Sequence, residues 1–359
     1  MSMKLKVKKV VDKQGHNKAL LLHGDWIFIE IEDHPYVGLG EATHSGDDDK
    51  CVDLIFDYYN KYFENKDYSL NDINAFESQF TLSDVGRLRG TAISALSQAA
   101  TDLLAKRNGI PLWNLFRNEY IRNSVPVYVT INRALSSRSF DDYRRIADRV
   151  LAEGITDFKC APFNAVSNNS DQMRASEYGL SVLQMLSNEY PELRFRVDFH
   201  KRFSCTNFFK ILPDIERLNP YWLEEPCEIS NSYANIRSHS DIKLAAGELY
   251  FGSSPFQEII DNGYADVIMP DIKHIGGTNT FFNVCKYGFE NDVEISPHNP
   301  SGPICAYHSI QYAAIFQNVS SIEIPFEKLL ENTLNYRSFI HNNKMEINHA
   351  YGIGISSLS

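Results

Sequence analysis

Five ionisable residues in the second half of the chain each stand at the end of a short apolar segment. The segments RFRVD, YWLE, KLAAGE, DVIMPD and VEISPH end on Asp198, Glu224, Glu248, Asp271 and His298. Successive residues are 26, 24, 23 and 27 positions apart, about one strand, one helix and two short loops. This spacing predicts a parallel βα barrel, whose C-terminal strand ends open onto one face. Three carboxylates that converge there require a cation.

The elements before residue 124 follow a different pattern, with strands first and helices afterwards. LKVKKVV, ALLLHGDWIFIEIED and YVGLGEA predict antiparallel strands, and Ile27, Ile29 and Ile31 share one face of the second. An apolar stripe predicts a helix over residues 50–64, on Val52, Ile55, Phe56, Tyr59 and Phe63. A second helix is predicted over residues 90–107. These elements form an α+β unit.

After residue 124 the pattern becomes strand, helix, strand. VPVYVTI and ITDFKCA predict the first two barrel strands, and SSIEIP predicts the eighth. One later helix is predicted to begin with Ser254 as its cap before Pro255, and to stop at Asn262-Gly263. We therefore divide the chain into a capping domain (1–124), a barrel (125–324) and a C-terminal segment (325–359) that packs back on the capping domain.

Composition narrows the function classes. The chain has 359 residues and a net charge of −11, which argues against a nucleic-acid or anionic-membrane partner. No run approaches the roughly 18 apolar residues of a membrane span. The six cysteines show no CxxC pairing, so we expect reduced thiols in a cytoplasmic protein. The expected partners are a small molecule and further copies of the chain in a homo-oligomer.

Several motifs together resemble the enolase superfamily, in its mandelate racemase-like branch. These motifs are VDFH, WLEEP, GE, MPDIKHIGG and SPHNPSGPI, with GLGEA and AISALSQAATDLLAKRNGIPLWNLF in the first domain. Their closest match is to acid-sugar dehydratases of the galactonate type. The resemblance spans nearly the whole chain. It implies a modified TIM barrel, (β/α)7β, with an N-terminal α+β capping domain and one essential Mg²⁺.

The resemblance also implies roles for the strand-end residues. Asp198, Glu224 and Glu248 correspond to the family's metal ligands, and three hard oxygen donors suit Mg²⁺. Glu225 is then a neighbour of the metal site and not a ligand. His298 is the candidate general base, and Asp271 would orient it through its second ring nitrogen. Ordinary solvated acids at strand ends, and a loop histidine, are the plainer readings.

Two departures from the family's patterns bear on the reaction. Racemases of the family carry Lys-x-Lys at the end of the second strand, but here the sequence is Lys159-Cys160-Ala161, so the usual opposite-face base is absent. Lys159 would remain as a cation against the substrate carboxylate. Galactonate-type dehydratases carry a stretch like DFHGR, and here Lys201 replaces the glycine.

The remaining predicted site residues lie on strands three and eight. His200 resembles the histidine associated with protonating the departing hydroxyl group, and it would share the barrel mouth if strand period two continued past Asp198. Arg202 would pair with a ligand carboxylate or with solvent. Glu323 resembles the strand-eight acid that hydrogen-bonds the enediolate. Specificity would come from residues 12 to 25, including His16 and His23, and from residues near His44, Thr130 and Asn132.

These observations predict a Mg²⁺-dependent dehydratase of an aldonate or aldarate. His298 would abstract the proton alpha to the carboxylate, the β-hydroxyl would leave with the aid of His200, and tautomerisation would give a 2-keto-3-deoxy acid. Two alternatives stay open. One is an epimerase or racemase that uses Lys159 as its second base, and the other is a catalytically silent homologue that binds a ligand or partner.

Overall fold

The structure of the protein is a computed structural model that describes residues 3–11, 25–43, 46–80, 82–300, 302–327, 334 and 336–356. Its first layer is an antiparallel sheet of strands β1 (Lys4–Val11), β2 (Asp25–Asp33) and β3 (Tyr36–Glu41), in that order. Ile27, Ile29 and Ile31 are fully buried in the core of this domain, while Phe28 points into the barrel's core. The predicted alternation along the second strand is confirmed.

Three helices cover that sheet: α1 (Asp48–Tyr62), α2 (Leu70–Glu77) and α3 (Leu82–Arg107). Ile55 and Tyr59 of the predicted α1 stripe are buried, but Phe56 is 39% exposed, so its assignment to the stripe was wrong. Helix α2 was not predicted, although Ser69 and Asp72 form a capping box at its start. Helix α3 begins eight residues before residue 90 and is interrupted at Gly86, whose φ is 54°.

Eight parallel strands make the barrel: β4 (Ser124–Thr130), β5 (Asp157–Cys160), β6 (Arg194–Asp198), β7 (Trp222–Glu224), β8 (Lys243–Ala246), β9 (Val267–Ile268), β10 (Glu294–Ile295) and β11 (Ile322–Pro325). Seven helices follow the first seven strands: α4 (Phe140–Ala152), α5 (Gln172–Glu189), α6 (Cys205–Glu216), α7 (Ser232–Arg237), α8 (Ser254–Asp261), α9 (Thr278–Glu290) and α10 (Pro303–Ala313). β11 pairs with β4, and a bridge between Ile295 and Val319 closes the gap beside β10. The predicted (β/α)7β barrel with a capping domain is confirmed.

The start of helix α8 differs from the sequence prediction, whereas its end agrees with it. α8 begins at Ser254, but its cap residue is Ser253, and no side chain makes the capping hydrogen bond. The predicted Ser254 cap was therefore wrong. The end of α8 follows the prediction, with Asn262 as C-cap and Gly263 at φ 61°.

The end of the chain contacts both domains. A short helix, Tyr336–Phe339, leads to strands β12 (Ile340–His341) and β13 (Lys344–Glu346), and β13 pairs antiparallel with β4. Further on, the N–H of Ile353 donates to Asp102 of α3 at 2.8 Å. β4 starts at the predicted change of pattern, but the division into three segments stays a prediction.

Two buried glutamates of the capping domain dock it onto the barrel. Glu77 accepts hydrogen bonds from Thr280 N at 2.9 Å and Asn279 N at 3.2 Å, at the start of α9. Glu41 accepts from Ile304 N at 2.9 Å, at the start of α10. Unpaired N–H groups at a helix start bind anions well. The capping domain therefore lies against the barrel face from which α9 and α10 emerge.

The cysteines correct one expectation. Cys205 and Cys227 form a disulfide, so the prediction of reduced thiols throughout was wrong. The two cysteines are 22 residues apart, but one starts α6 and the other follows β7, and these neighbouring segments meet at one barrel face. The other four are free and buried: Cys51, Cys160, Cys285 and Cys305. Among the described residues, no helix combines the length and apolar character needed to cross a membrane.

Candidate active site at the barrel mouth

Three carboxylates meet at the C-terminal ends of adjacent barrel strands. Asp198 ends β6, Glu224 ends β7 and Glu248 lies two residues after β8. One oxygen from each lies within 4.8 Å of the others, and all three side chains are buried. The structure thus brings together the three predicted ligands. Parallel strands place them there because β6, β7 and β8 are hydrogen-bonded neighbours.

The electrostatics of this triad fit a divalent cation. Burial, followed by repulsion from Glu248, raises the pKa of Asp198 to about 8. Burial also raises the pKa of Glu224 well above its usual range, although Lys159 opposes the shift. The negative charge of these buried carboxylates is only partly offset by nearby cations, and such oxygen donors form the kind of donor set that Mg²⁺ prefers. Asp198, Glu224 and Glu248 could therefore hold such an ion.

Glu225 faces away from the triad. Its Oε1 accepts a hydrogen bond from Gly247 N at 3.0 Å, and its Oε2 lies 3.5 Å from Lys201 Nζ. Glu225 has a positive φ of 42°, which turns the chain directly after β7. The adjacent acids of the EEP turn consequently point to different partners. Lys201 serves as the counter-ion of Glu225.

The predicted dyad is formed as well. His298 Nδ1 lies 2.9 Å from Asp271 Oδ2, and its Nε2 lies 3.0 Å from Glu248 Oε2. Burial alone would lower the pKa of His298, but Glu248 and Asp271 together raise it to about 10. Asp271 itself is fully enclosed at 1% exposure. One ring nitrogen is thus fixed by Asp271 while the other points into the triad.

His200 contacts the triad through Asp198. Its Nε2 lies 3.1 Å from Asp198 Oδ2, and its side chain is 38% exposed. The predicted continuation of strand period two was wrong, because β6 ends at Asp198 and His200 adopts φ 49°. A turn, stabilised by the hydrogen bond from His200 N to Asp198 Oδ1 at 2.9 Å, brings the ring back to the mouth.

Arg202, for which we predict pairing with a ligand carboxylate or with solvent, contacts backbone oxygens in the structure. Its Nη1 donates to the backbone oxygen of Val166 at 3.2 Å and of Asn164 at 3.4 Å. Arg202 therefore stabilises the loop after β5 through these two backbone hydrogen bonds.

Lys159 forms ion pairs with Glu323 and with residues of the triad. Lys159 Nζ lies 2.7 Å from Glu224 Oε1, 3.1 Å from Glu323 Oε1 and 3.9 Å from Asp198 Oδ2. Burial would lower the pKa of Lys159, but Glu224 and Glu323 hold it above its usual range. Ala161 is buried at 2% exposure and adds no base. Glu323 also accepts from Asn299 N at 2.9 Å, so it is tied to the loop of His298.

Sequence reasoning missed one charged residue of this site, Lys273. Its Nζ lies 3.0 Å from Asp271 Oδ2, and the residue is fully buried. The signal was a lysine two positions after the dyad acid, in the loop DIKHIGG. Of the predicted specificity residues, Asn132 accepts a hydrogen bond from Ala161 N at 2.8 Å, and Thr130 ends β4. His16, His23 and His44 lie outside the described residues.

Comparison with known proteins agrees with this arrangement. Residues 142–357 match the family described as "Enolase C-terminal domain-like". Residues 22–116 match the family "Mandelate racemase / muconate lactonizing enzyme, N-terminal domain". The chain belongs to the mandelate racemase-like branch of the enolase superfamily. Members of this superfamily are enzymes, and they typically bind a divalent metal.

Solved structures share the superfamily's fold across nearly the whole chain. A Mesorhizobium loti protein, provisionally named a dehydratase, is 22% identical, with a TM-score of 0.83 over 99% of this chain and 96% of its own. A mandelate racemase/muconate lactonizing enzyme from Sulfitobacter sp. is 18% identical, with a TM-score of 0.83 over 98% of this chain and 92% of its own. An Agrobacterium radiobacter protein, provisionally named a galactarate dehydratase and bound to sodium and L-malate, is 22% identical, with a TM-score of 0.75 over 89% and 80%.

Proposed function

We propose that this enolase-superfamily protein is a Mg²⁺-dependent dehydratase of a sugar acid, an aldonate or an aldarate. The observation that carries the proposal is the His298–Asp271 pair, whose second ring nitrogen, Nε2, lies 3.0 Å from Glu248 of the acidic triad. A base next to a cation site is the arrangement that removal of a weakly acidic proton alpha to a carboxylate requires. The provisionally named galactarate dehydratase among the structural neighbours supports the same reaction class.

With a cation held by the triad, the charge of Glu248 that raises the pKa of His298 would be offset. The neutral ring of His298 would then take the alpha proton of the substrate on Nε2, while Asp271 accepts a hydrogen bond from Nδ1. When bound, Mg²⁺ would stabilise the negative charge that develops on the substrate carboxylate. Lys159, held by Glu224 and Glu323, would add a fixed positive charge on the same side. These residues would together make the first half of the reaction possible.

His200 would serve the second half, departure of the β-hydroxyl group. Hydroxide leaves poorly unless it is protonated. His200 is the partly exposed histidine of the pair, and burial lowers its pKa. A proton delivered from His200 and a proton removed by His298 would release water and an enol, which tautomerises to the 2-keto-3-deoxy acid.

Epimerisation with Lys159 as second base is the first alternative. The ammonium of Lys159 is paired with two carboxylates, and Ala161 offers no replacement, so we rank this reaction below dehydration. A silent binding homologue is the second alternative, and the complete dyad argues against it. The predictions that the protein is homo-oligomeric, is cytoplasmic and has no nucleic-acid partner stay predictions.

A substrate screen tests the proposal directly. Purified protein with Mg²⁺ would be incubated with a library of aldonates and aldarates, and 2-keto acid would be measured. The matched control is His298→Asn, which removes the proton acceptor alone. Keto acid formed by the native protein and not by His298→Asn would support dehydration. Exchange of the alpha proton with solvent deuterium but no keto acid would favour the epimerase.

A further inference from the structure

Lys273 is a buried cation that contacts the dyad and not the acidic triad. It lies in the loop between β9 and α9 and is 0% exposed. Its Nζ lies 3.0 Å from Asp271 Oδ2, the same oxygen that contacts His298 Nδ1. Its backbone N–H donates to the other oxygen, Oδ1, at 2.8 Å. Lys273 therefore contacts both oxygens of Asp271.

The same ammonium reaches the residue that follows the histidine. Lys273 Nζ donates to Asn299 Oδ1 at 3.2 Å. Asn299 in turn donates from its backbone to Glu323 and from its side chain to Gly302 O at 2.8 Å. Lys273 thus joins the strand-end loop that carries Asp271 to the next loop, which carries His298.

Full burial of the Lys273 ammonium costs free energy, which its partners must offset. An ammonium group loses its hydration on full burial, and nearby carboxylates only partly offset that cost. Burial would lower the pKa of Lys273, but Asp271 and the nearby Glu41 of the capping domain keep it above its usual range. Burial likewise works against the charge of Asp271, and Lys273 is the largest opposing influence, so the pKa of that carboxyl lies below its usual range.

We propose that Lys273 is a positioning residue that clamps Asp271 and Asn299, and so fixes the imidazole of His298 with Nδ1–H on Asp271 and Nε2 toward the triad. An anionic Asp271 that already accepts from an ammonium leaves the proton on His298 Nδ1. The opposite nitrogen, Nε2, then faces Glu248 of the triad. This inference rests on the proposed function only where it names His298 as the base.

The chain offers a matched control in Lys106. This lysine also forms a buried ion pair with an aspartate, because its Nζ lies 2.7 Å from Asp102 Oδ2 and their side chains are 6% and 0% exposed. It belongs to α3, far along the chain from the dyad. Lys106→Met and Lys273→Met each remove one buried ammonium. A general loss of stability should appear in both variants, and loss of histidine positioning only in Lys273→Met.

The primary measurement does not depend on turnover. Protein labelled with ¹⁵N at histidine and loaded with Mg²⁺ would be recorded by NMR, and the Nδ1–H signal of His298 would be assigned as the one missing from His298→Asn. We expect Lys273→Met to shift or broaden this signal by exchange with water, and Lys106→Met to leave it unchanged. Mg²⁺ affinity should stay within about threefold of native in both, since neither lysine contacts the triad.

Kinetics supply the second measurement once a substrate is found. Loss of a group that orients a functional side chain typically costs about 10- to 100-fold. We expect Lys273→Met to lower kcat in that range with KM within about threefold, and Lys273→Arg to recover part of it. If the native protein turned over no sugar acid, the proposed reaction would fail while the NMR comparison still decided the role of Lys273.

An unchanged His298 signal in folded Lys273→Met would overturn the proposal. So would an equal change in Lys106→Met, because that would indicate general loosening. Should Lys273→Met not fold, Lys273→Gln keeps a donor for Asp271 without the charge and is measured in the same way. A native Nδ1–H signal together with native kcat in Lys273→Gln would overturn the role of the ammonium.

Discussion

Lys159 Nζ lies 2.7 Å from Glu224 Oε1, so the cation expected to face the substrate carboxylate is paired with a predicted metal ligand. Both side chains are almost completely buried, at 2% and 0% exposure. The pair is part of a larger group, because Lys159 also contacts Glu323. Lys159 therefore offsets part of the negative charge that a metal ion would meet.

Replacing Lys159 should separate metal binding from turnover. In Lys159→Met, the negative charge of Glu224 and Glu323 is no longer screened, and an unscreened charge a few ångströms away is worth about 1–4 kcal/mol. We expect Mg²⁺ affinity, measured by calorimetry, to rise on the order of tenfold or more. Turnover of a sugar acid should fall by about 10²-fold, because the fixed cation for its carboxylate is lost.

The control for this change is Lys201→Met, which removes a lysine that pairs with Glu225 instead of Glu224. Its Mg²⁺ affinity should stay close to native. Weaker Mg²⁺ binding in Lys159→Met would contradict the screening argument and would mean that Lys159 chiefly holds Glu224 in place.

Neighbouring glutamates provide a test of the metal site. Glu224 belongs to the triad, whereas Glu225 is directed at Gly247 N and Lys201. We expect Glu224→Gln to lower Mg²⁺ affinity by at least about 10²-fold, because an amide replaces an anionic ligand. Glu225→Gln should lower it by less than about tenfold. Chelation with EDTA should abolish activity in the native protein. Equal losses in the two variants would refute the assignment of ligands.

The two histidines should affect different steps. His298→Asn should stop both alpha-proton exchange and keto-acid formation, since the proton acceptor is lost, and Asp271→Asn should impair the same step less. His200→Asn should still exchange the alpha proton with solvent deuterium but form about 10² to 10⁴ times less keto acid. Mass spectrometry of recovered substrate and assay of keto acid separate the outcomes. Normal keto-acid formation by His200→Asn would assign hydroxyl departure to another acid.

The sequence was most informative where a residue's position follows from strand order. Asp198, Glu224 and Glu248 converge because β6, β7 and β8 are neighbours in a parallel barrel, and spacing alone indicates this. Positions set by turns were harder to predict. His200 and Glu225 have positive φ values of 49° and 42°, and no local signal requires that conformation of a histidine or a glutamate.

Contacts that depend on domain docking or on the packing of loops were not predicted from the sequence. Glu77 meets the start of α9, two hundred residues later, because the capping domain docks there. Cys205 meets Cys227 because two strand-to-helix segments are adjacent in the barrel. Such pairings depend on how finished elements pack, whereas hydrophobic periodicity reports only which face of one element is buried.

The disulfide should contribute measurably to stability. Cys205 and Cys227 close a loop with a sequence separation of 22 residues, and a link of that length typically stabilises a fold by about 3 kcal/mol. We expect a dithiol reductant to lower the free energy of unfolding in urea by about that amount. The double variant Cys205→Ser/Cys227→Ser should have the same lowered stability with or without reductant. A native protein whose unfolding curve ignores the reductant would contradict the prediction.

Acid should destabilise the protein partly through His308, which is fully buried in α10. Its Nε2 lies 2.8 Å from the backbone oxygen of Leu39, so the neutral ring donates a hydrogen bond into β3. Burial lowers the pKa of His308 from 6.5 to about 4. The unfolded chain therefore binds a proton more readily than the folded one between these values. Stability from this group is complete above pH 6.5 and is lost as the pH falls toward 4.

The expected size is on the order of 3 kcal/mol over that interval, since each pKa unit is worth about 1.4 kcal/mol. Urea unfolding at several pH values would measure it. In His308→Gln, whose amide can still donate to Leu39, the free energy of unfolding should fall less steeply between pH 6.5 and 4. The slope should decrease by up to the amount that uptake of one proton produces. Some slope should remain, because burial also lowers the pKa of His274 to about 3. An unchanged slope in His308→Gln would show that His308 does not contribute to the acid sensitivity.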